Sequence, residues 1–134
     1  MKLAGLFLAA VIAAGCDPVS VTALTVAPLG KTALLDDESL ELELSRGIAI
    51  GFECTINTTT VRGPCNNPRA KIGDEEVALA FSSYLDTTLD AWDGGYAGPR
   101  TRTAFVVVGR AVGETELEVI TTEADITLSV TIVP

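Results

Sequence analysis

The chain has 134 residues, 9 Lys+Arg against 18 Asp+Glu, no His, and a net charge of −9. That length holds one domain, and that charge excludes a nucleic-acid partner, because no basic surface is available to neutralise a run of phosphates. The lack of His removes Ser-His and Cys-His nucleophile pairs and every His-containing zinc site, while 48% hydrophobic residues against 20% charged exclude a disordered tail.

Met1-Lys2 precede an apolar run of 12 residues, from Leu3 to Ala14, followed by Gly15-Cys16. A positive start, a short apolar stretch and small residues before a cut site make a secretory signal peptide. The run is shorter than the roughly 20 residues of a permanent membrane span, and it lacks the polar face of an amphipathic helix. Ala13-Ala14-Gly15-Cys16 resembles a bacterial lipoprotein box, with Ala13 where Leu is commoner. The resemblance implies that Cys16 becomes the first mature residue and carries lipid, so that more than one acyl chain anchors the protein without a spanning helix. Asp17 is the residue that, in lipoproteins of enteric bacteria, commonly retains them in the inner membrane. Other bacteria do not follow that rule, so the implied location is the bacterial cell envelope, inner or outer membrane, facing the periplasm or the outside. Loss of Lys2 with the signal leaves eight Lys+Arg against 18 Asp+Glu, a charge of −10. Anionic headgroups repel such a surface, so the membrane is engaged by lipid and not by a basic patch.

With Cys16 lipidated, Cys54 and Cys65 remain, and an even pair in an oxidising compartment bridges. Gly63 and Pro64 suit a turn that brings the two together. The absence of Cys-x-x-Cys argues against a redox role, and the spacing is too short for the inter-sheet bridge of antibody domains. The expected role is a staple that pins a loop and stabilises by up to ~3 kcal/mol.

From Val19 onward the hydrophobic period is two. Strand candidates in chain order are residues 19–26, a segment with Leu40, Leu42 and Leu44 alternating with Glu41, Glu43 and Ser45, then residues 48–54, 77–81, 88–92 and 103–108. Leu117 and Val119 alternate with Glu116 and Glu118, and Ile126, Leu128, Val130 and Ile132 alternate with Thr127, Ser129 and Thr131. One wet and one buried face per strand point to antiparallel sheets. Pro28-Leu29-Gly30, Asp36-Asp37 and Gly113 punctuate them as turns. Residues 83–93 come nearest to a helical stripe, but Thr87-Thr88 at the centre favours a turn or strand. Seven or eight short strands predict an all-β Greek-key sandwich, with Phe81, Phe105 and Trp92 in or near its core.

The order of these segments resembles the bacterial immunoglobulin-like domains of the group found in intimins and invasins. Val21-Thr22-Ala23-Leu24-Thr25-Val26-Ala27-Pro28 is similar to their opening strand, and Asp37-Glu38-Ser39-Leu40-Glu41-Leu42 to their second. Phe81-Ser82-Ser83 stands where the family has an aromatic followed by serines. Val108-Gly109-Arg110-Ala111-Val112-Gly113, leading into an alternating strand, resembles their late hairpin. The resemblance implies residues 1–15 as signal peptide, 16–18 as lipidated N-terminus and short linker, and 19–134 as an immunoglobulin-like β-sandwich. Residues 53–76, which hold Cys54 and Cys65, depart from the family and read as an insertion. The family supplies spacers, adhesins and carbohydrate-binding modules, and it has no catalytic residues to carry over.

The densest carboxylates outside strands are Asp86, Asp90 and Asp93, with Glu75 and Glu76 upstream, and Trp92 and Tyr96 flank Gly94-Gly95. Clustered acids on loops can hold calcium, but this spacing does not match the helix-loop-helix calcium loop, and a solvated acidic loop accounts for it equally. Asp36-Asp37-Glu38 reads as a turn leading into a strand. No residue stands out as a catalyst, and no cofactor is implied beyond possible calcium. The function expected is that of a non-catalytic, lipid-anchored envelope protein that acts as a structural or protein-interaction module, with an envelope protein as partner. The alternative is a carbohydrate- or calcium-binding surface module using Asp86, Asp90, Trp92, Asp93 and Tyr96.

Overall fold

The computed structural model describes residues 18–60, 62–87 and 100–134, and every regular element among them is a β-strand. There are ten: β1 Val19–Ala23, β2 Ala33–Asp36, β3 Glu41–Ser45, β4 Ala49–Asn57, β5 Arg62–Pro64, β6 Arg69–Ile72, β7 Ala78–Thr87, β8 Arg100–Gly109, β9 Gly113–Ile120 and β10 Asp125–Val133. They form two five-stranded sheets. The first has the order β1-β4-β8-β7 with β5 added to β4, and the second has the order β2-β3-β10-β9-β6. All pairs are antiparallel except β3 with β10. In the lettering of immunoglobulin sandwiches this is A-B-E-D facing C-F-G, with β3 added in parallel to the last strand. The expected all-β sandwich is therefore the fold.

The period-two pattern does the folding. Along β10, Ile126, Leu128, Val130 and Ile132 are buried while Thr127 and Ser129 are exposed, and β4 alternates in the same way through Ile50, Phe52, Cys54 and Ile56. These side chains meet Leu42 and Leu44 of β3, Leu117 and Val119 of β9, and Phe105 and Val107 of β8 in one core. Phe52 and Phe105 are fully buried directly opposite each other across β4 and β8, with ring centroids 5.4 Å apart. Burial of each ring contributes up to about 3 kcal/mol, and the aromatic pair adds about 1 kcal/mol more.

Phe81 departs from expectation. It is 52% exposed, because the β7–β8 register places it opposite Val106 on the outer face, whereas Ala78 and Ala80 take the inward positions. Trp92 and the strand candidate at residues 88–92 lie outside the described residues. Three of the ten strands are not among the candidates: β2, β5 and β6, each of three or four residues. Two of them fall within residues 53–76. That stretch belongs to the sandwich proper, since β5 extends the first sheet and β6 is an edge of the second.

Where the chain passes between sheets the backbones come close. Gly47 turns β3 into β4 with φ +79°, a left-handed conformation that glycine adopts without steric cost. Its N–H donates to Gly109 O at 2.8 Å. A Cβ on Gly109 would lie 3.0 Å from Ser45 O and 3.1 Å from Ile132 Cδ1, so glycine is needed there for space. Among the described residues Ser45 is the buried polar one, and its Oγ accepts from Thr32 N at 3.0 Å.

Candidate functional site

The turn between β2 and β3 carries two working carboxylates. Asp36 Oδ1 accepts from Glu38 N at 2.9 Å and Ser39 N at 3.2 Å. These donations, first from the Ser39 N–H, then from the Glu38 N–H and the Ser39 hydroxyl, hold the Asp36 carboxyl below its ordinary value. Asp37 Oδ1 accepts from Val21 N at 2.9 Å, so the turn of the second sheet caps the free edge of β1 in the first. Leu40 closes the turn with φ 55° and its carbonyl accepts from Ser129 N at 2.9 Å. Of Asp36-Asp37-Glu38, expected as a turn leading into a strand, Asp36 ends β2 and Asp37 and Glu38 form the turn into β3.

Cys54 and Cys65 are bonded, with Cα atoms 5.5 Å apart. Both are buried and belong to the core cluster. The Cys65 N–H also donates to Cys54 O at 3.1 Å. The staple thus ties β4 to the segment that carries the chain across to β6. The next residue continues the linkage. Asn66 donates from its side-chain amide and its backbone N–H to the Glu123 carboxylate, and Thr122 N donates to Asn66 O at 3.2 Å. Desolvation pushes the Glu123 carboxyl up, but hydrogen bonds from the Asn66 side chain, the backbone N–H groups of Glu123 and Asn66, and the Thr121 hydroxyl leave it lowered overall. The sequence contains no local sign of this clamp, since its two halves are 57 residues apart.

Among the residues singled out for a ligand, Asp86 lies on β7 opposite Thr101 of β8. Asp90, Trp92, Asp93 and Tyr96, and the lipidation candidate Cys16, lie outside the described residues. Glu75 and Glu76 sit in the turn before β7, where Glu76 N donates to Asp74 Oδ1 at 2.9 Å and Arg110 Nη1 donates to Glu75 O at 2.8 Å. Among the described residues no group of three or more His, Cys, Asp or Glu is placed to hold a metal ion. No helix among them is long and apolar enough to cross a membrane.

The sandwich has two chemically different outer faces. On the second sheet, Asp36, Glu41, Glu43, Glu114, Glu116 and Glu118 point outward around the hydroxyl row Thr127, Ser129 and Thr131. A shallow groove beside β2 is lined by Leu34, Asp36, Asp37, Glu38, Glu41 and Glu43. On the first sheet, Leu79, Phe81, Ser83, Ala104, Val106 and Val108 share the outer face of β7 and β8, and none is charged. The groove beside β2 is open rather than enclosed. What these surfaces offer is an acidic field on one side and an apolar strip on the other.

No protein-family model matches the chain, and no curated protein matches it. Among the solved structures it resembles are domains of the S-layer protein SbsC. Domains 4 and 5 of that protein align with TM-score 0.51 and 13% identity over 85% of this chain and 54% of theirs. Domains 5-6 align with TM-score 0.52 and 17% identity over 76% of this chain and 43% of theirs. The chain spans about half the length of these two-domain fragments, and identity this low establishes a shared fold and nothing finer.

Proposed function

We propose that this chain is a non-catalytic, lipid-anchored structural or protein-interaction module of the bacterial cell envelope, and that its sandwich is of the bacterial immunoglobulin-like kind. The observation that carries the reading is the joining of a lipobox-like N-terminus, Ala13-Ala14-Gly15-Cys16, to a single β-sandwich. Within that sandwich the distinctive polar side chains brace backbone: Asp36, Asp37, Ser45 and Glu123 each accept from main-chain N–H groups. Among the described residues no buried side-chain polar atom is left without a partner. The likeness to domains of a surface-layer protein supports the same reading at the level of architecture.

The test is metabolic labelling with an alkyne fatty acid, followed by membrane fractionation, for the wild type and Cys16→Ser. Label on the wild type alone, together with loss of Cys16→Ser from the detergent-extractable membrane fraction, is the expected result. An unlabelled wild-type chain would remove the anchor and with it this reading of the N-terminus.

A further inference from the structure

Natural proteins blunt free sheet edges with charge, proline, shortness or a covering group. The β1 edge has its Val21 N–H occupied by Asp37, and the β6 edge carries Arg69 and Lys71. The β2 edge is short, at four residues, with one charge at Asp36, and no described strand pairs with its outer side. On its inner side lies β3, with Leu34 opposite Glu43 and Asp36 opposite Glu41. Ser45 N donates to Thr32 O at 2.9 Å, one rung before that ladder begins. Antiparallel ladders bond every second pair. Leu34 and Asp36 therefore turn their backbone groups to β3, and Ala33 and Leu35 turn theirs to the free side.

Side chains along the same edge supply two more kinds of contact. The open groove beside it is lined by Leu34, Leu35 and five acidic residues. Leu34 is 64% exposed, while Leu35 packs half-buried against the core. Asp36, Glu41 and Glu43 share the outer face with Leu34. Hydrogen bonds from Glu38 N and Ser39 N fix the Asp36 carboxylate at the end of the edge. The other end has the opposite sign, with Lys31 just before β2 and Arg46 just after β3. Main-chain groups, an apolar contact and a row of negative charge together complement an extended segment with small apolar residues on one face and cations on the other.

We infer that the β2 edge binds an extended basic segment of a partner protein by strand addition, its alternate Lys or Arg side chains lying over Leu34 and against Asp36, Glu41 and Glu43. The apolar stems of such side chains cover Leu34 while their charged ends reach the carboxylates. The intervening apolar residues lie beside Ala33 and Leu35. Charge selects this occupant. A second copy brings the same acidic edge and a net charge of −9, and an anionic membrane surface is repelled as well. Lys31 and Arg46 direct the basic part of the segment toward Asp36. The inference rests on the interaction-module reading and names its surface and partner chemistry, but it is independent of the lipid anchor. A negative peptide result leaves the Cys16 labelling result standing, and an unlabelled chain leaves the peptide result standing.

The experiment is fluorescence anisotropy of a short labelled peptide of alternating lysine and valine. It is titrated with the purified full chain in neutral detergent from about 1 µM to about 1 mM, the range of small transient contacts. The control peptide has the same composition with its lysines and valines in separate blocks. The alternating peptide should bind saturably and at least about tenfold tighter than the block peptide. Glu43→Lys should weaken it at least about fivefold. Glu76→Lys makes the same charge change before β7, which lies beside β6 at the opposite edge, and should alter binding less than about twofold. Ala33→Pro removes an N–H from the free side and should weaken binding at least about tenfold. Circular dichroism confirms that each variant is folded. If Ala33→Pro does not fold, slowed hydrogen exchange at the Leu35 amide in the presence of the peptide takes its place. No binding by the wild type, equal binding of the block peptide, equal weakening by Glu76→Lys, or binding indifferent to Ala33→Pro would each overturn the inference, as would unchanged exchange at Leu35.

Discussion

Reducing the Cys54–Cys65 bond should lower the melting temperature by roughly 10 °C. The bond closes a loop with a sequence separation of 11, and the chain-entropy relation for a loop of that length gives ~2.8 kcal/mol of stabilisation through the unfolded state. A domain of this size has an unfolding entropy near 0.24 kcal/mol/K, from ~2.1 cal/mol/K per residue, so the loss converts to that temperature shift. Because both sulfurs lie in the core cluster, Cys54→Ala/Cys65→Ala should cost somewhat more than reduction alone, the excess being the cavity left behind. The assay is thermal unfolding by circular dichroism of oxidised protein, protein reduced under denaturing conditions and refolded, and the double variant. Hydrogen exchange at the Cys65 amide, which donates to Cys54 O, reports whether β5 opens alone or with the whole sandwich. A drop below about 3 °C on reduction would refute the entropic reasoning. A large drop in protection at Cys65 with an unchanged melting temperature would mean that the crossing from β4 to β6 folds independently of the core.

Three other perturbations test particular contacts. Gly109→Ala places a methyl group 3.0 Å from Ser45 O, a backbone atom that cannot rotate aside, and should cost about 1–3 kcal/mol in denaturant unfolding. Asp37→Ala removes the acceptor of the Val21 N–H and should cost about 1 kcal/mol, whereas Asp37→Asn, which retains an acceptor oxygen, should cost less. Glu123 is held below its ordinary value of 4.5, so the folded state binds fewer protons than the unfolded state as that value is crossed. Its contribution is therefore present above pH 4.5 and lost as pH falls through the lower folded value. The stability difference between wild type and Glu123→Gln, measured by melting from pH 7 down to pH 3, should shrink on the acid side, and a constant difference would refute the clamp.

The strands with regular alternation were legible because their register and burial obey one rule. In β3, β4, β9 and β10 the large apolar residues fall on the inner positions and polar ones on the outer. The β7 strand inverts that pattern. Alanines face inward at 78 and 80 while Leu79 and Phe81 face outward, so hydrophobic size alone assigns Phe81 to the wrong side. The β2 strand has adjacent leucines, with Leu34 64% exposed and Leu35 packed on the core, and adjacent leucines give no period. In β5, Gly63 and Pro64 spell a turn, yet Pro64 pairs with Thr55 in a three-residue strand, the kind of sheet-margin position proline tolerates. The disulfide was legible from compartment and parity, and its membership of the core was not. The Asp37–Val21 and Asn66–Glu123 contacts join segments 16 and 57 residues apart, and only the folded topology brings them together.

The contrast between the two outer faces follows from what each strand must avoid. Glu41 and Glu43 on β3 flank one side of the β10 hydroxyl row, and Glu114, Glu116 and Glu118 on β9 flank the other. Like charges directly opposite each other on neighbouring strands are destabilising, and placing Ser129 and Thr131 between the two acidic strands separates them by a full strand on either side. Lys71 then sits opposite Glu118 at the margin, where β6 needs a charge on its free edge. The carboxylates of β3 and β9 are thus kept apart, while Asp36 of β2 stands directly opposite Glu41. The first sheet does the reverse, keeping the outer positions of β7 and β8 uncharged over the rungs from Leu79–Val108 to Ser83–Ala104. The described surface therefore carries most of its strand carboxylates on the outer face of the second sheet and its uncharged rungs on that of the first.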